Sequence, residues 1–506
     1  MSLIFNNPLD ALMSRLDLTA TRAKDVVGRI KVSQHQNVYD ADFEYGQQPL
    51  RWETIASGGA TVTHLPGEGG VRLRLPTTSG AIAIRQSRPY HRYQPGKTMF
   101  MSSAVLFGSA LPNQVNRVGI FDDGNGVFFE QIGATPQNPS GMGVIVRSDA
   151  GGLPVDIRVS IENWVCNPAL INAIDWNRIQ MIWIEYAWYG AGCVRWGVMI
   201  NGEPLILHQI GFGNRIGQTR SWSRTGNLPV RYEQRNLGTT TQVNDITHYG
   251  VSVVIEGGID PQRGFTYSYG MSPSTLRRSI AINTTRFPVL NVRPRVMGTI
   301  EASQPGAAIT AGTTTTLTAG SASWTINQWA GRMLSYIVAG TTYTARIISN
   351  TATTLTFADV VGTGALPVAP VSGGNYAIGL LNRGQITPSQ LLLSSDAICL
   401  VELIASTPTS PIVLTNFNWQ TLSSLGSSNS FAERDVSSTA MTGGEVVMAF
   451  TSPAGGSGLQ QLDLSSLFPL LNTIRGDLPD ILTVAISTAN IAANVGAHFT
   501  MQEAMS

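Results

Sequence analysis

The sequence predicts an all-β protein: a multi-domain antiparallel β-sandwich or jelly-roll chain with a small inserted β-barrel-like module and a short N-terminal helical segment. Three observations carry this prediction. From about Ile30 onward the apolar residues fall in short alternating runs, the two-residue period of half-buried strands. Gly, Pro, Ser, Thr and Asn, the residues of turns, separate the runs. Finally, 43% of the 506 residues are hydrophobic and only 13% are charged. That is ample for packed cores, and a surface so short of charge tends to associate with other subunits.

The N-terminal segment, residues 1–30, departs from this pattern. Asn7 is a good cap and Pro8 a good first helical residue. Leu9, Leu12, Met13 and Leu16 then follow at helical spacing as one apolar stripe. Thr19 to Val27 reads as a second short helix ending near Gly28. Helices this short need a partner surface. Two readings stay open: a helix packed on its own domain, or an assembly anchor inserted into a neighbouring subunit.

Strands begin after it, and residues 31–295 read as one large β-sandwich domain. Val71–Leu75 and Ala81–Arg85 alternate as half-buried strands should. Val118–Phe121 and Val127–Glu130 flank the turn Asp122-Asp-Gly-Asn-Gly126, a β-hairpin pattern. Arg178–Tyr186, Cys193–Ile200 and Pro204–Ile210, joined by a Gly-containing turn and Asn201-Gly202, predict an antiparallel meander. Composition shifts near Pro294. Residues 296–380 are rich in Thr, Ala and Gly and read as the inserted β module, with strand patterns at Thr313–Thr318, Tyr343–Ser349 and Thr351–Phe357. Residues 381–506 read as a C-terminal β-sandwich domain, with its clearest strands at Ala397–Ile404 and Ile481–Ile486. Leu459–Leu471 fits a short helix or a loop.

Motifs for chemistry are sparse. The net charge of +1 offers no basic field for nucleic acid. No run of roughly eighteen apolar residues predicts a membrane span, and no signal-peptide order opens the chain. Cys166, Cys193 and Cys399 lack CxxC spacing and read as small apolar residues of a reducing compartment. His35, His64, His91, His208, His248 and His498 never fall at metal-ligand spacing. The Asp122–Gly126 turn lacks the calcium-loop pattern. Glu185 lies in an aromatic strand beside Trp183, Tyr186 and Trp188, as in many sugar clefts, yet the second carboxylate of a glycosidase strand motif is absent from that strand. The sequence therefore predicts no enzyme, no catalytic residues, no metal and no cofactor. Trp188, Tyr189 and Trp222, if they face solvent, would make a glycan-stacking platform without catalysis.

Several blocks together resemble a family of virion structural proteins of tailed bacteriophages. They are Asn37-Val-Tyr-Asp-Ala-Asp-Phe-Glu-Tyr-Gly-Gln-Gln-Pro-Leu-Arg-Trp-Glu53, Arg88-Pro-Tyr-His-Arg-Tyr-Gln-Pro-Gly-Lys97, the stretch Arg117–Gln131, Asn227–Glu233 and Val253–Gly258. Within them, Arg51, Arg88 and Arg92 suit bidentate pairing with Asp40, Asp42 or Glu44. The resemblance covers about residues 31–295, and 381–506 more loosely. It implies a structural component of the particle, at the tail, baseplate or neck, assembled in the host bacterial cytoplasm and residing in the virion. Its partners would be other virion proteins and copies of itself in a trimer or ring, without nucleic acid or membrane. A capsid decoration or vertex protein, and a tail adhesin for a host surface glycan, are the alternatives.

Overall fold

Strand Met99–Leu106 displays the rule on which the first half of the chain is built. Its side chains alternate strictly, with Met99, Met101, Ser103 and Val105 buried and their neighbours half-buried. A sheet with one face on a core imposes this pattern. The computed structural model describes residues 24–26, 28–29, 31, 33–258, 264–271, 276–304, 309–362, 364–407, 410–421, 430–452 and 459–504. They divide into two units, the second of which takes residues 49–53, 88–90 and everything from 261 onward.

The first unit is a two-sheet sandwich, and the all-β prediction holds apart from one short α-helix at Pro168–Asn172 and a 3-10 turn at Ile161–Asn163. Its strands are β1 (His35–Ala41), β2 (Trp52–Ser57), β3 (Thr61–Leu65), β4 (Gly70–Leu75), β5 (Ile82–Ser87), β6 (Met99–Leu106), β7 (Gln114–Phe121), β8 (Gly126–Gln131), β9 (Met142–Ser148), β10 (Val155–Ser160), β11 (Gln180–Ala187), β12 (Cys193–Ile200), β13 (Glu203–Gly211), β14 (Val230–Asn236) and β15 (Asn244–Glu256). One sheet has eight strands in the order β13-β12-β11-β6-β15-β4-β3, with β1 on the second half of β15. The other has seven, in the order β10-β9-β8-β7-β14-β5-β2. The β7–β8 hairpin and the β11–β12–β13 meander form as the turn residues predict. Asn201 and Gly202 both take positive φ, as a two-residue hairpin turn requires.

Tyr232 of β14 fixes how the two sheets face. Its hydroxyl lies 2.6 Å from Ser103 Oγ on β6, and its ring stacks on His248 of β15 at 3.8 Å. Around them Leu73, Leu75, Met101, Ile182, Ile184, Trp196 and Val253 are fully buried.

In the second unit, Phe265–Gly270 and Arg278–Ile280 pair with Ala493–Ala504, which pairs in turn with Gln385–Ser395. A six-stranded sheet built around Phe287–Pro294, Leu482–Ser487 and Leu400–Ala405 shares one core with this sheet. Residues 297–381 supply a separate seven-stranded sheet with its own core around Leu334, Ile347, Phe357 and Ile378.

Several local expectations change. The stripe Leu9, Leu12, Met13 and Leu16 lies outside the described residues. Of the helix expected over 19–27, the described Lys24–Val26 enter a turn instead. Asp25 closes it by accepting the Arg29 backbone N–H at 2.7 Å, and its carboxylate pairs with the Arg29 guanidinium. Leu459–Asp463 is a strand, because Gln390–Ser394 offers it a free sheet edge. Arg88 pairs with Asp480 at 2.7 Å rather than with Asp40, Asp42 or Glu44. Among the described residues, no helix is long and apolar enough to cross a membrane.

Two buried carboxyls give the second unit a pH signature. Burial pushes Glu53 up to about 7 although its Oε2 accepts the Ile474 N–H at 2.7 Å. Burial likewise pushes Glu503 up to about 7, while it accepts from the Phe431 N–H and the Ser430 hydroxyl. A raised folded-state value means that the protonated form is the better-tolerated one. The stability tied to these groups is complete below the ordinary carboxyl range and is lost as pH rises through about 7. The thermal midpoint of the second unit is expected to fall between pH 5 and pH 8, and calorimetry of Glu53→Gln with Glu503→Gln should give a flatter profile. An unchanged profile in that double variant would remove these carboxyls as the cause.

Candidate functional site

Alternation along β11 sends Ile182, Ile184 and Tyr186 into the sandwich core and Trp183 and Glu185 to the opposite face. Those two are nevertheless only 4% and 2% exposed. The outer face of the eight-stranded sheet is therefore covered here, and the cover borders a half-open cavity of about 930 Å³.

Strand register assembles its floor. Glu185 stands opposite Phe100 on β6 and Arg195 on β12, and Arg195 stands opposite Gln209 on β13. One row across four strands thus carries an aromatic ring, a carboxylate, a guanidinium and an amide. In the adjacent row Trp183 faces Gly197. A Cβ on Gly197 would sit 2.1 Å from the indole, so the missing side chain is what lets Trp183 lie flat on the sheet. Phe100 and Trp183 stack with ring centres 5.7 Å apart and planes 24° from parallel. Val165, Met199 and Val254 add apolar wall, with His35 and Cys166 also lining the cavity.

The chain just before β1 supplies the remaining charge. Lys31 Nζ lies 2.7 Å from Glu185 Oε1 and 5.9 Å from the Phe100 ring centre. Arg195 Nη1 is 3.4 Å from Glu185 Oε2 and donates to the Lys24 carbonyl at 3.2 Å, while its Nε donates to Gln209 Oε1 at 2.8 Å. Glu185 is thus held between two cations. The Trp183 Nε1–H is buried without a hydrogen-bond partner among the described residues. Orphaned donors of this kind are rare in folded proteins and ask for a ligand or solvent acceptor. Stacked rings beside a few fixed polar groups can bind a molecule that has both an apolar face and hydroxyl or acidic edges.

The platform expected from Trp188, Tyr189 and Trp222 does not form. Trp222 is 2% exposed, donates its Nε1–H to the Trp188 carbonyl at 3.0 Å and stacks on Phe212 at 5.2 Å. Trp188 is half-buried and donates to the Ser223 carbonyl at 2.7 Å. These rings clasp the β11–β12 turn, and only Tyr189 is exposed. The Asp122–Gly126 turn is likewise structural. Asp122 Oδ1 accepts the N–H groups of Gly124 and Asn125, and Asp123 pairs with Arg231. Sequence reading picked out Glu185 and Trp183 but missed Lys31, Phe100, Arg195 and Gln209, which come together only through register.

No family model matches the chain, and no curated protein does. Solved structures similar to it include a glycosyl hydrolase family 16 protein from Mycobacterium smegmatis, with 13% identity, 43% of this chain and 100% of that chain covered, and a TM-score of 0.30. The transglycosylase Crh5 matches at 13% identity over 47% of this chain and 88% of its own, with a TM-score of 0.30. A β-1,3-glucanase from Mycobacterium marinum matches at 12% identity over 43% of this chain and 98% of its own, with a TM-score of 0.27. The expectation that the chain is no enzyme is withdrawn on these matches, since the proteins matched are named as enzymes. Similarity at this level assigns the chain no reaction.

Proposed function

We propose that this chain is a β-sandwich component of a tailed-phage particle that binds saccharide on the eight-stranded sheet of its first unit. The cavity over Trp183 carries the binding half of this reading. It joins two stacked rings and a row of polar groups on rigid strands, the combination that takes a sugar ring by its face and its edge. Placement in a particle rests on the sequence blocks between Asn37 and Gly258. The few charged residues suit a protein that packs against other subunits.

A glycan array probed with the full chain, followed by calorimetric titration of the hits, tests the binding. Trp183→Ala should weaken binding at least tenfold, because it removes one of the two stacked rings. New reducing ends measured on the same saccharides would show whether binding leads on to cleavage. Binding unaffected by Trp183→Ala would move the saccharide site elsewhere. Cryo-electron microscopy of intact phage particles tests the placement, and particles without this chain's density would overturn it.

A further inference from the structure

We infer that the sugar taken by this cavity is acidic, with a carboxylate or sulfate oxyanion received by Lys31, Arg195 and Gln209; this rests on the saccharide-binding reading above. The inference comes from counting the hydrogen-bonding capacity that the protein leaves unused. Lys31 has three ammonium donors, and Glu185 is its one ionic contact among the described residues. Arg195 uses Nε on Gln209 and Nη1 on Glu185 and the Lys24 carbonyl, which leaves the two donors of Nη2 without a partner among the described residues. Gln209 spends its carbonyl oxygen on Arg195 and keeps its amide N–H groups.

The acceptor side is sparse: Glu185 Oε1 accepts no hydrogen bond among the described residues, but it lies against the Lys31 ammonium. Among the described lining residues Glu185 is the only carboxylate, and both of its oxygens face cations. The cavity therefore offers a surplus of donors and an excess of positive charge, two cations against one carboxylate. A neutral sugar hydroxyl, which brings a donor with every acceptor, does not match that surplus. An oxyanion on a sugar ring does, because it brings acceptors only and can take a two-pronged contact from a guanidinium. The stacked rings next to the row would hold the ring that carries it.

Calorimetric titration of the full chain with three size-matched probes tests this: a neutral glucan oligomer, a uronate oligomer and a sulfated galactan oligomer. At least one acidic probe is expected to bind tenfold or more tighter than the neutral one, with an advantage that shrinks as salt is raised. Whichever acidic probe wins identifies the oxyanion. Lys31→Gln and Gln209→Ala alter half-buried and exposed side chains respectively, so both should fold. Each should lower the affinity for the acidic probe several-fold and leave the neutral one unchanged. Equal binding of neutral and acidic probes would overturn the inference while leaving a saccharide site in place. Binding of no saccharide, here or on the array, would remove the underlying reading itself.

Discussion

Replacing Glu233 by alanine is expected to destabilise the first unit by about 3–5 kcal/mol, the cost of removing one partner from a buried ionic network. Glu233 is fully buried on β14, as is Arg231. A chain of ion pairs crosses the seven-stranded sheet through it. Arg158 of β10 reaches Glu130 of β8 at 3.0 Å, and Glu130 pairs with Arg117 of β7 at 2.9 Å. Arg117 pairs with Glu233 at 2.9 Å, Glu233 with Arg231 at 2.6 Å, and Arg231 with Asp123 at 2.8 Å. Gly143 on the intervening β9 makes the first span possible, because a Cβ there would lie 2.7 Å from the Arg158 guanidinium. Burial alone would raise the Glu233 carboxyl, but Arg231, Arg235 and Arg117 overcome it and hold the group well below the usual range. Without Glu233, Arg117 and Arg231 face one another across the sheet with their shared counter-charge gone. Urea unfolding of Glu233→Ala beside Asp245→Asn, which breaks a half-exposed pair with Arg74, checks the claim. Similar midpoint shifts in the two variants would show that the network adds no more than a surface pair.

That network also marks how far the sequence could be read. Strands such as β4 were legible because buried Val71, Leu73 and Leu75 alternate with more exposed residues, and turns such as Asn201-Gly202 mark strand ends. Strand β6 alternates as strictly and was not picked out. Local pattern was enough for β7–β8 and for the β11–β12–β13 meander, where partners are adjacent in the chain. It held no information on the pairing of Phe265–Gly270 with Ala493–Ala504, since nothing in either run specifies so distant a partner. The cavity was half legible for the same reason. Glu185 among aromatic residues attracts notice in sequence, whereas Arg195 becomes its neighbour only after the hairpin register is set, and Gln209 only after a second one. Lys31 lies before β1, and nothing in the local pattern places it against β11. Trp188 and Trp222 misled because aromatic residues at turns look alike in sequence, whether they face solvent or close a loop over a core.

Gly197→Ala is expected to damage the cavity from beneath, without replacing any group that would contact a ligand. The new methyl would meet the Trp183 ring at 2.1 Å and the Leu205 carbonyl at 2.3 Å. Neither yields freely: the carbonyl belongs to β13, and the indole is only 4% exposed among its neighbours. Relief requires Trp183 to leave its rotamer or β12 to shift, at a cost of about 1–3 kcal/mol for overpacking of this kind. Either movement takes the ring out of the wall and separates it from the Glu185–Arg195 row. Saccharide affinity should then fall about as far as in Trp183→Ala, while the thermal midpoint drops by only a few degrees. The comparison with Trp183→Ala decides what the ring contributes. If both variants lose binding equally, the flat seating of the indole on a side-chain-free strand position is itself the binding determinant. If Gly197→Ala binds normally, Trp183 can serve from another position, and the pairing of glycine with tryptophan across β11 and β12 is a packing solution alone.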